Sequence, residues 1–315
     1  MDWTQRLRIR QLHVLAELYR SRNMSQTAVR LNMTQPALSK WLAELESDLG
    51  VALFERHPKG LVPTPYSDML IGHAKTILAE IHRTQQDLEL MAAGAVGHLA
   101  LGATHGVAAS DGVAIGVAAV LKQYPRAFVT LAEGVLQDLV QKLHEGELDY
   151  VIGRMDARVS CEQLSYDALY DESIRVVAAR DHPLADKPDL AWADTRPYGW
   201  VGMPGGSQLW RELDFERAVA MEPPGPVYVE TSSILPTLAI VRRSDLLGLA
   251  SSRVATVFEN WGVVRILSLP YASKSGVGLL SRRGFEPAPI GQMFRDSLLA
   301  TAVKMRHDAG LAADR

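Results

Sequence analysis

The sequence predicts a multidomain α plus α/β protein, in which a long helix joins a helical N-terminal head to a C-terminal α/β body. Three observations lead to this prediction. A helix that opens on a proline follows a short helix near the N-terminus, an apolar repeat runs from residue 70 to 91, and apolar runs alternate with helical stretches beyond residue 98. The 315 residues are enough for two or three domains.

Composition excludes several classes of protein. With 47% hydrophobic and 22% charged residues, the chain has the balance of a folded globular protein. The single cysteine, Cys161, rules out an internal disulfide framework and has no neighbouring ligands for a metal site. The N-terminus lacks the apolar core of a signal peptide, and no apolar run approaches the roughly 20 residues that span a bilayer. We therefore expect a cytoplasmic protein with no membrane partner.

Charge is distributed unevenly along the chain. Residues 1–62 contain nine Lys and Arg against six acidic residues, which gives a net charge of +3. The remaining residues carry a net charge of −6, so the whole chain carries −3. A basic head on an acidic body is the arrangement expected when a nucleic-acid-binding domain is joined to a domain of another function.

The head contains two predicted helices joined by a tight turn. The first runs from about Ser25 to Leu31, the turn passes through residues 32 and 33, and the second helix begins at Gln35. Thr34 can cap the second helix by accepting a hydrogen bond from the amide of Ala37. Pro36 then falls in the first turn, where its missing N–H has no intrahelical partner to lose.

The second helix has one apolar and one polar face. Leucines recur at spacings of three and four beside Trp41, while Gln35, Ser39 and Lys40 point away from them. This is the helix-turn-helix arrangement of DNA-binding proteins, in which Gln can bond adenine edges and Lys can meet guanine or phosphate. The alternative is an ordinary amphipathic helix with a solvated face.

A basic hairpin follows the second helix. In "RHPKG", Pro58 and Gly60 are turn residues that place Arg56 and Lys59 beside the tip, while Phe54 can pack back on the domain. A basic wing of this kind supplies phosphate contacts, which position a protein on DNA without specifying the sequence.

Residues 24–64 resemble the winged helix-turn-helix of LysR-type transcriptional regulators. The resemblance rests on a set of residues in the family's order and spacing: Ser25, Thr27, Ala28, Leu31, Gln35, Pro36, Ala37, Ser39, Leu45, Glu46, Leu49, Gly50, Leu53, Phe54, Arg56 and Thr64. It implies double-stranded DNA as a partner, contacted by Thr34, Gln35, Pro36, Ser39, Lys40, Arg56 and Lys59. The "AV" in the first helix and "PTPYSD" after the wing depart from the usual pattern and resemble the sugar-responsive branch of galactose-binding-protein regulators.

The long helix carries a coiled-coil pattern. Pro65 can open it, and its apolar positions then alternate steps of four and three over about three heptads: Leu70, Ala74, Ile77, Ile81, Thr84, Leu88 and Met91. An amphipathic helix packed on its own domain would show a similar stripe. The resemblance implies instead that this helix pairs two subunits, which would read a near-palindromic site. It further implies a dimer of dimers, that is, a homotetramer, and contact with RNA polymerase at the promoter.

The body alternates strands and helices, which indicates parallel sheets and α/β domains. The resemblance implies two lobes like those of periplasmic binding proteins. The expected organisation is therefore a DNA-binding domain at 1–65, a linker helix at 66–93, a hinge at 94–98, an effector-binding domain at 99–306 and a tail at 307–315. Within the effector-binding domain, lobe I covers about 99–171 and 272–306, and lobe II about 172–271.

Ligands of open α/β sheets bind beyond the carboxyl ends of strands, often at helix N-termini that favour anionic or strongly polar groups. By carry-over from the family, the cleft residues are Thr104, His105, Gly206, Ser207, Thr231 and Ser232, with Met155 as an apolar wall. For each residue the alternative is ordinary loop or capping chemistry. A carboxylate and a sugar-like polyol both fit such strand ends.

No catalytic motif stands out. The chain has no Gly-x-Ser-x-Gly, phosphate loop or metal-ligand spacing, so we expect no catalytic residue, metal or cofactor. The expected function is therefore a regulator that senses a small molecule in the cleft and alters its promoter binding. Two alternatives are an enzyme that its head recruits to DNA, and an architectural DNA-binding protein whose body only oligomerises.

Overall fold

The computed structural model describes most of the chain, with side chains as far as residue 306, over 7–58, 60–92, 94–156, 164–203, 207–271 and 274–313. The chain divides into two compact units. One contains the residues up to Glu89 together with His144–Glu147, and the other contains the rest.

Three helices form the core of the first unit: α1 (Ile9–Ser21), α2 (Met24–Arg30) and α3 (Gln35–Leu49). Helix α1 is an addition to the two helices predicted, and α2 starts one residue early because the Asn23 side chain accepts from the Gln26 amide. Thr34 caps α3 as predicted, its hydroxyl accepting from Ala37 N at 3.3 Å. On the apolar face Leu38, Leu42 and Leu45 are buried and Leu49 is half-buried.

A hairpin and a long helix complete the first unit. Strands β1 (Phe54–His57) and β2 (Gly60–Pro63) pair in antiparallel register, which confirms the predicted wing. A side chain at Gly60 would meet the carbonyl oxygen of Arg22 at 2.6 Å, so this close approach requires glycine. Helix α4 (Pro65–Ala92) starts at the predicted proline.

The largest sheet of the second unit, within the described residues, has five strands. Its strands are β3 (Gly97–Thr104), β4 (Ala127–Gly134), β5 (Tyr150–Arg154), β6 (Leu164–Glu172) and β12 (Ser275–Arg282), in the order β4-β3-β5-β12-β6. Helices α5 (Asp111–Gln123) and α10 (Pro289–Ala313) contribute apolar side chains to one core cluster of the sheet, and α6 (Leu136–His144) contributes to another.

Helix α5 contains the glycine-rich stretch "GVAIGVAAV", and the structure explains one of its glycines. A Cβ at Gly116 would lie 2.8 Å from the ring of Phe294 on α10, so the two helices pack at a distance that leaves no room for a side chain. The glycine serves helix packing.

The intervening residues build two smaller sheets. Strands β7 (Ile174–Ala178), β10 (Gly248–Ser251) and β11 (Arg265–Ile266) form the first, and β8 (Trp200–Gly202) pairs with β9 (Val227–Glu230) in the second. Helix α7 (Gln208–Val219) packs against this region through Leu209 and Leu213, and α8 (Ile234–Val241) and α9 (Ser252–Asn260) cover another side.

Three expectations need correction. The sheets are not all parallel: the five-stranded sheet is mixed, because β12 runs antiparallel to β5 and β6, and β7 runs antiparallel to its two partners, whereas β8 and β9 are parallel as expected. The hinge expected at 94–98 is shorter, because β3 already begins at Gly97 and pairs with β4. The residues expected as a tail from 307 continue α10 as far as Ala313.

Candidate DNA-binding surface and ligand cavity

Helix α3 presents the predicted DNA-contacting residues to solvent. Thr34, Gln35, Pro36 and Lys40 are exposed and Ser39 is half-buried, while the opposite face packs on α1 and the wing. Arg56 is exposed on β1, and Lys59 lies outside the described residues. The folded unit therefore brings the described members of the set onto one accessible surface.

Two of these side chains are held by neighbours from other elements. The Ser25 hydroxyl on α2 donates to Gln35 Oε1 at 3.2 Å, and Arg56 Nη2 on the wing donates to Ser39 Oγ at 2.9 Å. Ser25 engages one acceptor position of Oε1, and the exposed Gln35 side chain keeps both N–H donors of its amide. The surface therefore offers hydrogen-bond donors at Gln35 and a positive charge between α3 and the wing.

Glu17 braces the helices behind this surface. Its carboxylate accepts from Arg20 on α1 at 2.6 Å and from Arg30 on α2 at 2.7 Å. The hydrogen bond from Arg30, with the charges of both arginines, holds the pKa of Glu17 below its ordinary value of 4.5. The carboxylate therefore stays ionised and ties α1 to α2 at neutral pH.

The second unit contains a cavity of about 430 Å³ at the carboxyl ends of three parallel strands. Strand β3 delivers Thr104 and His105, β4 delivers Gly134, and β5 delivers Arg154. The first turn of α7 closes the other side. The described residues that line it are Thr104, His105, Gly134, Val135, Leu136, Gln137, Arg154, Asp156, Met203, Ser207, Gln208, Leu209 and Arg211.

A buried charge network holds Arg154, one of the residues that line this cavity. Arg154 donates to Glu212 Oε2 at 2.9 Å and to Glu172 Oε2 at 3.3 Å, and all three residues are buried. Glu212 also accepts from Ser275 at 2.6 Å and from Gln208 at 3.3 Å. Because an unpaired charge at this depth would be costly, each member of the network depends on the others.

The first turn of α7 is bonded to the residues that follow β5. Ser207 caps the helix by accepting from Trp210 N at 3.3 Å. Gln208 Nε2 donates to the carbonyl oxygen of Met155 at 2.6 Å, and Arg211 pairs with Asp156. The first turn of α7 therefore lines the cavity and also bonds the two residues that follow β5.

The structure brings together part of the predicted ligand set. Thr104, His105 and Ser207 line the cavity. Met155, the predicted apolar wall, is not part of the described lining, and its backbone bonds Gly276 and Gln208. Gly206 lies outside the described residues. The described lining does not include Thr231 or Ser232, because β9 ends at Glu230 and the Thr231 hydroxyl turns to accept from Ser233 N at 3.2 Å. A ligand role for those two residues stays a prediction that the described lining of this cavity does not support.

Two family models match almost the whole chain. The model for bacterial regulatory helix-turn-helix proteins of the lysR family matches residues 9–67, and the model for the LysR substrate binding domain matches residues 92–302. The regulator GbpR of Azospirillum brasilense is 31% identical over 265 residues, which cover 83% of this chain and 77% of GbpR. The regulator PcaQ of Agrobacterium fabrum is 29% identical, covering 90% and 91% of the two chains.

The chain belongs to the LysR family. It is therefore a DNA-binding transcriptional regulator with an effector-binding domain. Solved LysR-family structures share its fold at low identity. The full-length CbnR in complex with its target DNA has a TM-score of 0.52 at 21% identity and covers 94% of this chain and 100% of CbnR. The effector-binding domain of QuiR, solved with shikimate, has a TM-score of 0.56 at 18% identity and covers 66% of this chain and 98% of QuiR.

Within this LysR-family effector domain, sequence reasoning missed the charged part of the cavity. Arg154 is the last residue of the predicted strand "VIGR", so the rule that ligands bind at strand ends could have found it. Gln208 and Arg211 follow the cap residue Ser207 at positions one and four along the helix, and this spacing would have indicated a shared face. The pairing of each charge had no local signal.

The described residues contain neither a membrane-spanning helix nor a cluster of metal ligands. No helix there is long and apolar enough to cross a membrane. No group of three or more His, Cys, Asp and Glu side chains in the same part of the chain could hold a metal ion.

Proposed function

We propose that this regulator senses a small organic acid or sugar-like molecule in the cavity beside β3, β5 and α7 and changes its binding to a promoter in response. The observation that supports the proposal is the combination within one chain of an exposed, polar recognition helix and a cavity of about 430 Å³. That volume falls in the range of roughly 300 to 1,000 Å³ typical of small-molecule sites.

The DNA-binding residues of the proposal are Thr34, Gln35, Pro36, Ser39, Lys40, Arg56 and Lys59. Gln35 and Ser39 would face base edges, and Arg56 and Lys59 would contact phosphates. The complex of CbnR with its target DNA supports this role by analogy of fold.

The effector-binding residues of the proposal are Thr104, His105, Ser207 and Gly206, with Arg154, Gln208 and Arg211 added from the cavity. Shikimate in the effector-binding domain of QuiR supports a small-molecule role for this domain. The ligand must bind one arrangement of the protein better than another, because otherwise binding cannot change DNA affinity.

The proposal includes a homodimer formed through α4, assembled further into a homotetramer. Support comes from the second half of the heptad seam, where Ile77, Ile81, Leu88 and Met91 are exposed in the isolated chain, at 45%, 37%, 63% and 64%. Such a stripe is stable in water when a second helix covers it. Two paired heads would read a near-palindromic site, and RNA polymerase would be the partner at the promoter.

We propose no catalytic role and no cofactor for the body, and we place the protein in the cytoplasm with the DNA. Incubation with a bound ligand should return that ligand chemically unchanged. Turnover of the ligand would favour an enzyme, whereas the absence of any ligand across a broad thermal-shift screen would favour an architectural DNA-binding protein.

The test is selection of bound fragments from the source organism's genomic DNA, with the wild type beside Gln35→Ala at one stated salt concentration. Enrichment of a near-palindromic site by the wild type, and its loss in the variant, would support the proposal. If neither protein enriches a site, the selection is repeated with a metabolite extract. A site that appears then would show ligand-dependent binding, and continued absence would contradict the proposed role of the head.

A further inference from the structure

The charges around the cavity are already matched within the protein. Arg154 faces Glu172 and Glu212, and Arg211 faces Asp156. Three carboxylates against two guanidinium groups leave one net negative charge among these five residues. A ligand carboxylate would therefore find each arginine of the described lining engaged by a residue of this chain.

The dipoles of two helices offset this net negative charge. The N-termini of α6 and α7 both line the cavity, through Leu136 and Gln137 and through Ser207 to Leu209. Each contributes about half a positive elementary charge, so together they offset about one negative charge. With these five charges and the two helix ends nearly in balance, and with the Glu133 carboxylate 3.3 Å from His105, the described residues give little electrostatic return for the desolvation of an ionised carboxylate.

The same cavity offers hydrogen-bonding groups suited to hydroxyls. The Thr104 and Ser207 hydroxyls, the Gln137 and Gln208 amides and the His105 ring all line it. His105 Nδ1 is shielded from solvent without a hydrogen bond, and Glu133 Oε1 lies 3.3 Å away but outside hydrogen-bond geometry. Leu136, Met203 and Leu209 supply apolar surface for the C–H faces of a ring. Groups that can both donate and accept match a polyol.

We infer that the effector is an uncharged, hydroxyl-rich molecule of sugar size, and that Asp156 excludes carboxylates by occupying Arg211. This inference rests on the proposed function and selects one of its two ligand chemistries. Carboxylate exclusion follows because an acid must displace Asp156 from Arg211 or lie beside it, and like charges at that distance repel.

The experiment compares neutral sugars with their own acids. Calorimetry and thermal shift on the full-length protein use D-galactose with D-galacturonate and D-glucose with D-glucuronate, at equal ionic strength and neutral pH. In each pair both molecules are pyranoses with the same ring hydroxyls, and they differ in that a carboxylate replaces the C6 hydroxymethyl group. We expect a neutral sugar to bind at least about tenfold more tightly than its acid, which corresponds to about 1.4 kcal/mol.

Two variants test whether Asp156 causes the preference for the neutral sugar. Asp156→Asn releases Arg211, so the preference should shift toward the acid by about tenfold. Asp167→Asn is the matched control, because Asp167 pairs with Arg295 at 3.0 and 3.2 Å and neither residue is in the described lining of the cavity. The control should keep the wild-type preference. If Asp156→Asn does not fold, the wild-type comparison alone still decides the inference.

The outcomes separate this inference from the proposed function. Binding of an acid without its neutral partner would overturn the inference and leave the sensing role standing. Binding of neither kind would overturn the inference and would also count against the sensing role. A neutral sugar that binds and changes operator affinity would support both, and one that binds without changing operator affinity would support the inference alone.

Discussion

Gln35 illustrates how a single hydrogen bond narrows what a residue can recognise. A free glutamine amide can bond adenine through both its oxygen and its nitrogen. In this structure Ser25 donates to the oxygen at 3.2 Å, which takes one acceptor position of the amide and leaves both N–H donors of the nitrogen for a base edge. Donors of this kind suit acceptors on base edges, such as guanine O6 and N7 or thymine O4.

At the residue scale we predict that Gln35→Ala weakens binding to the selected operator by about 1 to 3 kcal/mol, with little change in nonspecific binding. Ser25→Ala should cost less, about 0.5 to 1.5 kcal/mol, because it removes the hydrogen bond that orients Gln35. The measurement is a double-mutant cycle on operator affinity at fixed salt.

The cycle distinguishes orientation from independent contact. If Ser25 acts through Gln35, its substitution should have almost no further effect in the Gln35→Ala background. Additive losses would show that Ser25 contacts DNA on its own and would contradict the proposed orientation.

At the scale of elements, Glu17 connects α1 with α2. Its pKa lies below 4.5 in the folded chain, chiefly because Arg30 donates a hydrogen bond to it. A lowered carboxyl pKa stabilises the folded state above the unfolded pKa, and this contribution is lost as pH falls through the folded value. The contact should therefore hold the two helices together at neutral pH and weaken in acid below about 4.5.

We predict that Glu17→Gln makes α1 and α2 exchange amide hydrogens faster than in the wild type at pH 7, with the difference shrinking below pH 4.5. Hydrogen-exchange mass spectrometry of peptides from residues 9–30 measures this, with wild type and variant compared at each pH. A difference that persists unchanged at low pH would show that the ionised carboxylate is not responsible.

Helix α4 carries a second prediction at this scale. Ile81→Asp places a charge in the apolar seam, where pairing of two helices would remove it from water. We expect sedimentation velocity to show a smaller assembly and operator affinity to fall, since one head alone covers half of a palindromic site.

Gln86→Asp is the matched control for the seam. It introduces the same side chain on the same helix, at an exposed position on the side away from the seam. The control should leave the assembly unchanged. An Ile81→Asp protein of wild-type mass would mean that α4 does not pair the subunits.

At the scale of the whole molecule, the proposal separates DNA binding from ligand response. Ser207 both lines the cavity and caps α7, so Ser207→Ala would remove a ligand contact and about 1 kcal/mol of helix stability together. Glycine at a cap position costs only a few tenths of a kcal/mol, so Ser207→Gly isolates the ligand contact.

We predict that both Ser207 variants keep wild-type operator affinity without ligand and respond weakly to it. Operator titrations with and without the neutral sugars named above provide the measurement. Loss of basal operator binding in Ser207→Gly would contradict the proposal that the head binds DNA and the effector-binding domain responds to the ligand.

The head shows how far local sequence rules reach. Thr34, Pro36 and the leucines of α3 were placed correctly because capping and helical periodicity act within a few residues. The wing followed from its turn residues for the same reason. Helix α1 was missed, and β12 was missed as well, since a strand that returns late in the chain to a sheet formed earlier has no local signature.

The cavity shows where sequence reasoning stops. Strand ends indicated Thr104, His105 and Ser207, which line the cavity, whereas the described lining does not include Thr231 or Ser232, because the direction of the turn after β9 depends on its packing.

The sequence by itself determined the LysR-type head, the heptad seam and the presence of an α/β body, since each depends on residues close together in the chain. Only the tertiary structure decided that Arg154 meets Glu212, 58 positions away, and that Asp156 occupies Arg211. Such pairs depend on the approach of distant elements, and they set the charge balance from which the ligand class was inferred.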